Sequence, residues 1–280
     1  MKNKITKLEI RHQRTRPISY GMIYKAKKSL GQNFLKSEIA LRQIIEAGEI
    51  RSDDIILEIG PGKGALTSKL LASSSKLIAV EKDRELLEFL KTKFEKEIAS
   101  GQLELVQGDI LEFNASAYSL KPSAYKIIAN IPYNITGAIL KKFLTEKKQP
   151  EAMVLMVQHE VATRILARDG KESILSVSVK AYGNPKMVAK VDKRYFSPAP
   201  KVNSAIISIK KISRQTFQEN NVNEEKFWEI VKAGFAHKRK KLSSNLKAVC
   251  QRDTLTSLGN KRAEDLTLSD WIELCTENTR

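Results

Sequence analysis

Short apolar runs rich in β-branched residues recur along the first two thirds of the chain, and amphipathic stretches such as residues 65–71 stand between them. Runs of this kind are typical of buried strands, and alternation with amphipathic segments predicts an α/β fold with an open sheet. The strands predicted in this way span residues 55–59, 76–80, 103–107, 125–129 and 204–209.

The pattern changes near residue 210. A polar segment, residues 210–214, predicts a linker after strand 204–209, which would close the sheet. Beyond it, helical spacing predicts helices over residues 224–235 and 243–250 and a last one near Trp271. We therefore predict a basic N-terminal arm over residues 1–28, an α/β domain over residues 29–210 and a small all-α domain over residues 214–280.

The first predicted strand runs directly into Gly60-Pro61-Gly62-Lys63-Gly64, and a helix follows. Glycines at such a position let a ligand approach the backbone, and an acid at the end of the next strand, here Glu81, can hold a ribose. Asp109 follows the third strand in the same way. The loop fits both NAD and S-adenosylmethionine, whereas a phosphate-binding P-loop is excluded because Lys63 is followed by glycine rather than Ser or Thr.

Asn130-Ile131-Pro132-Tyr133 ends the fourth predicted strand. An Asn side-chain oxygen and a carbonyl beside a proline can accept the two protons of an exocyclic amine, and an aromatic ring can stack on a base taken out of its helix. The alternative is an ordinary strand-end turn, since Asn and Pro are common turn residues. Glu81, Asp109 and Asn130 would converge on the crevice where open α/β sheets bind ligands, which favours a functional site.

The charge balance indicates a nucleic-acid partner. The chain has 49 Lys and Arg against 32 Asp and Glu, a net charge of +17 and a pI of about 9.7. Charge alone does not distinguish RNA from DNA. A run of cations between two predicted helices favours phosphate contacts over a merely solvated face, and its members are Lys238, Arg239, Lys240 and Lys241.

No apolar run is long enough to span a bilayer, and we expect a cytoplasmic protein. The basic start of the chain fits either an arm that contacts RNA or a mitochondrial targeting segment, and we favour the arm. Cys250 and Cys275 are too few and too far apart for a zinc cluster, and the three histidines share no ligand spacing. We therefore expect no metal.

Taken together, several motifs resemble those of the ribosomal RNA adenine dimethyltransferases, a family that includes KsgA-type enzymes of the small subunit and erythromycin-resistance methylases of the large subunit. The motifs run through most of the chain and comprise residues 29–35, 58–64, Glu81, Gly108-Asp109, residues 130–133 and residues 196–205. The resemblance implies a Rossmann-like S-adenosylmethionine-dependent methyltransferase domain over residues 29–210. It also implies transfer of two methyl groups to N6 of each target adenosine.

The resemblance assigns a role to each matching residue. It places Asn33 and Leu35 over the cofactor, Gly60 and Gly62 beneath its methionine part, Glu81 at the ribose hydroxyls and Asp109 at the adenine. It also implies that Asn130 and the backbone near Pro132 hold the target amine while Tyr133 and Phe196 sandwich the target base. Without the resemblance, the prediction for Phe196 is a core aromatic.

Residues 235–246 resemble the KsgA type more than the resistance methylases, which favours two adjacent adenosines in a hairpin loop near the 3′ end of 16S ribosomal RNA. The expected partner is this RNA or the immature small subunit, and the expected state is a monomer. Two departures from the family pattern are Lys171-Glu172-Ser173, which puts the shape of the target pocket in doubt, and Ile131 in place of the commoner Leu.

Three other classes remain as alternatives. A DNA adenine methylase shares the Asn-Pro-Tyr chemistry but needs a large domain that reads the major groove. An NAD oxidoreductase uses the same glycine loop but leaves residues 32–35 and 130–133 without a role. A non-catalytic assembly or transcription factor on the same scaffold fits as well, although the intact cofactor loop favours an enzyme.

Overall fold

The structure is a computed structural model that describes residues 24–74, 76–118, 120, 124–250 and 258–277, so nearly all of the predicted N-terminal arm lies outside the described residues. The strands are β1 Phe34–Leu35, β2 Ile55–Ile59, β3 Lys76–Glu81, β4 Leu103–Gln107, β5 Tyr125–Asn130, β6 Ala152–Gln158, β7 Asn184–Val191, β8 Phe196–Ser197 and β9 Ser204–Lys210. The helices are α1 Glu38–Gly48, α2 Ala65–Leu71, α3 Arg84–Lys93, α4 Glu95–Ala99, α5 Thr136–Thr145, α6 His159–Leu166, α7 Ile174–Lys180, α8 Gln215–Glu219, α9 Glu224–Gly234, α10 Leu242–Asn245 and α11 Leu268–Glu277.

A seven-stranded sheet has the order β4-β3-β2-β5-β6-β9-β7. Strands β2 to β6 pair in parallel, whereas β9 is antiparallel to both of its neighbours, β6 and β7. In the classic dinucleotide-binding order, 3-2-1-4-5-6, the fifth and sixth strands are adjacent. Here β9 separates the fifth sheet strand from the sixth, so the sheet departs from the NAD-binding arrangement that the glycine loop left open.

The prediction that strand 204–209 closes the sheet was wrong. It lies inside the sheet as β9, and the edge is formed by β7, which was not predicted. All of β9 is buried except Lys210, because a strand between two neighbours has both faces covered by the core. The edge strand β7 alternates between exposed and partly buried residues over its first seven positions.

Two hydrophobic clusters cover the two faces of the sheet. Because side chains alternate along a strand, Ile56 of β2 belongs to the cluster that includes α1 and α2, whereas Leu57 and Ile59 belong to the other. The predicted strands in the interior of the sheet, β2, β3, β5 and β9, therefore have apolar residues on both faces, as is typical of strands covered by helices on both sides.

The predicted linker over residues 210–214 is firmly attached to the α/β domain. Ile212 is 2% exposed, its amide donates to the Glu151 carbonyl at 3.1 Å, and the Ser213 amide donates to the Tyr182 carbonyl at 2.9 Å. Arg214 donates to the carbonyl oxygens of Thr145 and Glu146 at the end of α5. The polar composition suggested a free linker, but these polar groups are satisfied by backbone partners.

The C-terminal helices share one hydrophobic cluster with the sheet, which contains Phe227, Trp271 and Val157 among others. The Tyr182 hydroxyl donates to Glu224 at 2.5 Å and accepts from the Trp228 indole at 3.0 Å. Burial, together with the bond to Glu224, raises the pKa of this hydroxyl. The all-α segment therefore packs directly against the α/β domain.

Two helix bounds of this segment differ from those predicted. The helix expected over residues 243–250 is limited to Leu242–Asn245, and the residues after it form turns. The last helix, α11, spans Leu268–Glu277 and buries Trp271 completely. Helix α9 ends at Gly234, where the chain passes directly over the Trp271 ring.

The contact between α9 and α11 yields a stability prediction. A Cβ at Gly234 would lie 2.3 Å from Cη2 and 2.9 Å from Cζ3 of the buried Trp271 ring. Gly234→Ala should therefore lower the free energy of unfolding by about 1–3 kcal/mol, the usual effect of overpacking. Urea unfolding measures the change.

Gly137→Ala is the matched control. Gly137 lies in the first turn of α5, and a Cβ there would meet nothing within 4 Å. This change should leave stability equal or raise it by up to about 1 kcal/mol, because alanine favours the helix. Equal effects of the two substitutions would contradict the close packing of Gly234 on Trp271.

Candidate active site

A cavity of about 380 Å³ opens at the carboxyl ends of the parallel strands. Open α/β sheets bind ligands at this edge. The cavity brings together nine of the residues predicted from the sequence, namely Asn33, Leu35, Gly60, Gly62, Glu81, Asp109, Asn130, Pro132 and Tyr133. Its size and mixed lining suit a small organic ligand.

The glycine loop forms one wall of this cavity. Gly60 and Gly62 have φ values of +65° and +59°. Residues with a side chain adopt this left-handed backbone region only at a cost in energy, whereas glycine adopts it freely. A Cβ at Gly60 would meet nothing within 4 Å, so open space lies above this residue. At Gly62 the Phe34 ring already lies 3.0 Å from the Cβ position. The loop is therefore open to a ligand at Gly60 and covered by an aromatic ring at Gly62.

Two acids follow successive strands at the cavity. Glu81 is 5% exposed and accepts from the backbone amides of Gly62 at 3.1 Å and Asp83 at 2.8 Å. Burial raises the pKa of Glu81, and these two bonds oppose the rise. Asp109 is more open, and the 2.8 Å bond from Lys82 is the main reason that its pKa is lowered.

A third acid, Glu58, lies below the loop and had no role in the sequence prediction. It is 1% exposed and accepts a 2.7 Å hydrogen bond from the Thr67 hydroxyl. Burial raises the pKa of Glu58 to about 8, with a smaller contribution from the nearby Glu81 charge. A buried acid with one hydroxyl donor is therefore largely protonated at neutral pH.

Asn130 has a fixed orientation. Its side-chain nitrogen donates to the Asn33 carbonyl at 3.0 Å, which leaves the side-chain oxygen as the acceptor at the cavity. Asn33 itself uses its side-chain nitrogen on the Gly31 carbonyl at 3.1 Å. The residue before β1 and the end of β5 are thus joined at the position where the sequence predicts the amine to be held.

Tyr133 is also held by the surrounding residues. Its hydroxyl bonds to the Ser204 hydroxyl at 2.5 Å, and its carbonyl accepts from the Thr136 hydroxyl at 3.1 Å. Burial raises the pKa of the Tyr133 phenol above its usual value. The phenol is therefore neutral at physiological pH, and both the hydroxyl and the backbone of Tyr133 are held by hydrogen bonds.

Phe196 does not line the cavity. It is 2% exposed, and in β8 it pairs with Leu35 of β1 and belongs to the same hydrophobic cluster. The neighbouring Ser197 lines the cavity instead. The structure therefore has Phe196 in the core position that the residue itself suggested, and its role at a target base stays a prediction.

A cluster around Asp83 holds the segment before β1 in place, and the sequence did not reveal it. Asp83 accepts from Lys27 at 2.8 Å, from Gln32 at 2.9 Å and from the Tyr24 hydroxyl. Burial alone would raise the pKa of Asp83, but the hydrogen bonds from Lys27, Tyr24 and Gln32 outweigh it and lower the pKa to about 2. Asp83 is also the N-cap of α3. The only sign of this cluster in the sequence was an Asp just before a helix, and that pattern predicts a helix cap rather than a cluster.

Two predicted features lie away from the cavity. The exposed run Lys238 to Lys241 connects α9 and α10 in the helical segment. Lys171-Glu172-Ser173, expected to affect the target pocket, instead contacts the C-terminal segment. Lys171 forms a 2.8 Å ion pair with Glu264, and the Glu172 amide donates to the Glu264 carbonyl at 2.7 Å. This departure from the family pattern therefore lies where two parts of the chain pack together.

Among the described residues, none of the helices is long and apolar enough to cross a membrane. Likewise, no group of three or more His, Cys, Asp or Glu in these ranges is arranged to hold a metal ion.

Comparisons with known proteins extend over nearly the whole chain. Residues 23–278 match the family model described as ribosomal RNA adenine dimethylase. A relative from Dehalococcoides mccartyi (strain CBDB1), named ribosomal RNA small subunit methyltransferase A, is 39% identical over 269 residues, which cover 92% of this chain and 90% of the relative.

Two solved structures are similar in fold. A dimethyladenosine transferase from Plasmodium falciparum has a TM-score of 0.75 at 28% identity and covers 87% of this chain and 96% of its own. The 23S rRNA methyltransferase ErmE has a TM-score of 0.73 at 25% identity and covers 89% of this chain and 100% of its own. These likenesses confirm the predicted Rossmann-like methyltransferase fold.

The raised pKa of Glu58 predicts how stability changes with pH. The unfolded chain releases this proton near the ordinary pKa of 4.5, whereas the folded protein keeps it up to about pH 8. The folded state therefore binds more protons between these values, and stability falls as pH rises through them. Glu58→Gln stays neutral, so its stability relative to wild type should increase from pH 5 to pH 8, by at most about 1.4 kcal/mol per pH unit, and then level off.

Urea unfolding at pH 5, 6.5 and 8 measures this difference. Glu46→Gln, on the exposed part of α1, controls for the loss of a surface carboxylate. If the stability difference between Glu58→Gln and wild type is the same at all three pH values, Glu58 is ionised in the folded protein and the assignment is wrong.

Proposed function

The chain belongs to the ribosomal RNA adenine dimethylase family, and from this we propose that it dimethylates N6 of two adjacent adenosines in a hairpin loop near the 3′ end of small-subunit ribosomal RNA. The small-subunit substrate is supported by 39% identity to a relative named for the small subunit, against 25% to the large-subunit enzyme ErmE. The observation that carries the chemistry is the fixed amide of Asn130, whose oxygen is left to accept at a cavity with a glycine loop.

S-adenosyl-L-methionine is the cofactor in this proposal, and the residues at the cavity fit it. Open space above Gly60 would admit the methionine part close to the backbone, beneath Asn33 and Leu35, with Gly62 in the same loop. The two oxygens of Glu81 each use one lone pair on a backbone amide, which leaves further acceptor capacity for ribose hydroxyls. Asp109 would accept from the adenine amine.

When bound, this cofactor supplies an electrophilic methyl group. The chain must then make the target nitrogen nucleophilic, because the N6 lone pair of adenine is delocalised into the ring. Acceptors at both amine protons draw the nitrogen toward a tetrahedral shape and localise that lone pair. The Asn130 side-chain oxygen is one such acceptor, and backbone near Pro132 supplies the other in our proposal. The fixed orientation of the Asn130 amide matters because a misaligned amide oxygen would no longer accept from the amine and localise the lone pair of its nitrogen.

Tyr133 stacks on the target base in this proposal and does not remove its proton. The raised pKa keeps its phenol neutral, and the hydroxyl is engaged by Ser204. A ring held in this way offers its face to a base taken out of the RNA stack. Phe196 would reach the other side of the base only if β8, which pairs with β1, shifted, since its side chain is buried in the core.

The helical segment would dock the RNA. Lys238, Arg239, Lys240 and Lys241 are all exposed, and the loop that carries them is tied back by Asn245, which donates to the carbonyl oxygens of Gly234 at 2.6 Å and His237 at 3.1 Å. Cations on a fixed loop lose less conformational freedom on binding than cations on a free tail. Neutralised phosphates give such contacts their affinity and their dependence on salt.

The remaining parts of the proposal concern the oligomeric state, the cellular location and the form of the substrate. We propose a monomer that acts in the cytoplasm on the RNA or on the immature small subunit. Incubation with labelled S-adenosylmethionine and either naked 16S RNA or immature small subunits tests the activity and separates the two substrates. Label on 23S RNA instead would favour the large-subunit alternative, and label on neither RNA would favour a non-catalytic factor.

The proposed role of Asn130 as acceptor for the target amine yields the third prediction. Asn130→Ala removes the acceptor at the reacting nitrogen, so turnover should fall by orders of magnitude while cofactor affinity changes little. Glu81→Ala is the contrasting variant. It removes the ribose contact, so cofactor affinity should fall by about 1.5–3 kcal/mol, the range for hydrogen bonds to charged groups.

Single-turnover methylation and calorimetric titration of the cofactor measure the two effects separately. An Asn130→Ala protein with nearly wild-type turnover would remove Asn130 from the reaction. Unchanged cofactor affinity in Glu81→Ala would remove Glu81 from the cofactor site.

The basic loop yields the fourth prediction. Replacement of Lys238, Arg239, Lys240 and Lys241 with Gln should weaken RNA binding. It should also reduce the slope of affinity against salt by roughly 0.7–0.9 for each phosphate that the variant no longer neutralises. Cofactor affinity should not change, because these residues do not line the cavity. Fluorescence titrations across a salt series give the slope, and an unchanged slope and affinity would identify the run as a solvated surface.

A further inference from the structure

A second cavity, of about 320 Å³, lies outside the candidate active site and has a basic lining. Its walls include Lys190, Lys193 and Lys201, with His159 and one acid, Glu160. In the described ranges, none of the three lysines forms an ion pair with an acidic side chain. Three cations without such a partner around one recess leave a local excess of positive charge.

The recess is built from separate elements that meet at Asn203. Lys190 lies at the end of β7, Lys193 in the turn after it, and Lys201 in the loop before β9. The Asn203 side-chain oxygen accepts from the Lys193 amide at 3.1 Å, and its carbonyl accepts from the His159 amide at 3.0 Å. The backbone at Lys193 and His159 is therefore held on Asn203, and Lys190 pairs with Ala205 in the neighbouring strand.

An acid close to the recess is already engaged elsewhere. Asp192 stands between Lys190 and Lys193 in the chain, but its carboxylate accepts from the amide of Arg194 at 2.9 Å and from its side chain at 3.0 Å. The lysines on either side of it are thus left for another anion. An RNA phosphate is such an anion, and lysine is a common partner of phosphate.

The recess lies at the same edge of the sheet as the residues proposed to hold the target base. Asn203 is followed directly by Ser204, whose hydroxyl bonds to Tyr133 at 2.5 Å. A residue that fixes the basic recess and a residue that fixes the stacking ring are therefore consecutive in the chain. An RNA strand whose base lies against Tyr133 would carry its neighbouring phosphates past this point.

We propose that Lys190, Lys193 and Lys201 form a binding site for an RNA backbone phosphate next to the target adenosine. The proposal rests on the proposed function for the identity of the RNA. A base taken out of its stack no longer has the neighbours that kept it in register, and a phosphate held beside it restores that register. The site would thus position the strand at the cavity, whereas the loop at Lys238 to Lys241 docks the particle at a distance from it.

The alternative is that lysines on an edge strand only prevent pairing with other chains. Strand β7 provides a control for this alternative, since Lys186 is exposed on the same strand but does not line the recess. If the lysines serve only to protect the edge, Lys186→Gln and Lys190→Gln should affect RNA binding equally. If the recess binds phosphate, Lys190→Gln should have the larger effect.

The main experiment uses the full chain and a hairpin RNA that contains the two target adenosines. The triple variant Lys190→Gln, Lys193→Gln, Lys201→Gln is compared with wild type and with a charge-matched control, Lys91→Gln, Lys96→Gln, Lys186→Gln. We expect the first triple variant to bind the RNA more weakly and to reduce the slope of log affinity against log salt by about 0.7 for each phosphate left without its cation. The control should retain the wild-type slope, and all three proteins should bind the cofactor equally.

A second measurement locates the phosphate. Single phosphates around the target adenosines are replaced by uncharged methylphosphonates. Wild type should lose affinity at one position beside the target, and the triple variant should be insensitive to the replacement at that position. Such coupling identifies the two groups as partners.

The outcomes separate this proposal from the proposed function. If both triple variants behave alike, or if every methylphosphonate has the same effect on wild type and variant, the recess does not bind phosphate, even if methylation is intact. If the slope and the coupling follow the expectation but no RNA is methylated, the phosphate site stands and the proposed activity fails.

Discussion

The buried carboxylate of Glu81 connects the parts on which the candidate active site depends. One oxygen accepts from the Gly62 amide in the glycine loop, and the other accepts from the Asp83 amide at the start of the next segment. Asp83 in turn binds Tyr24, Lys27 and Gln32, which lead into β1 and place Phe34 on Gly62. A buried charge must be met by donors, and here the donors are the loops that form the cavity wall.

The three acids near the loop differ in pKa because they differ in burial and in the donors that oppose its effect. Asp83 has several donors, one of them a lysine, and its pKa is lowered to about 2. Glu81 has two backbone amides against its burial. Glu58 has one hydroxyl, and its pKa is raised to about 8. The donors of Asp83 favour its charged form and the burial of Glu58 favours its neutral form, which reduces the repulsion among the three groups.

Much of the fold could be predicted from the sequence because it is encoded locally. Strands β2, β3 and β5 have buried apolar residues on both faces, and the glycine loop and the strand ends follow them directly. The residues at the cavity could therefore be recognised from short motifs. The position of β9 could not, because an interior place in a sheet depends on which strands pair and not on the strand itself. Edge strand β7 was missed for the same reason.

Contacts between residues distant in the chain account for the other differences between the sequence predictions and the structure. Residues 210–214 are polar and suggested a linker, but their groups bind the backbone near residues 145, 151 and 182. The Asp83 cluster joins residues more than 50 positions apart, and no spacing in the sequence reveals such a contact. Phe196 illustrates the limit of a family motif, since the same residue can belong to a motif and be buried in the core.

The bond from Asn130 to the Asn33 carbonyl has a consequence for how purines are told apart. An amide presents either an acceptor or a donor, depending on which end is turned outward, and the Asn33 carbonyl binds the nitrogen end. The outward oxygen is compatible with the 6-amino group of adenine and repels the 6-carbonyl group of guanine or hypoxanthine. Under the proposed role of Asn130 at the target amine, the choice between an amino purine and an oxo purine is set by the main-chain carbonyl of Asn33. In that proposal, a guanine at the target position is rejected before the methyl group is transferred.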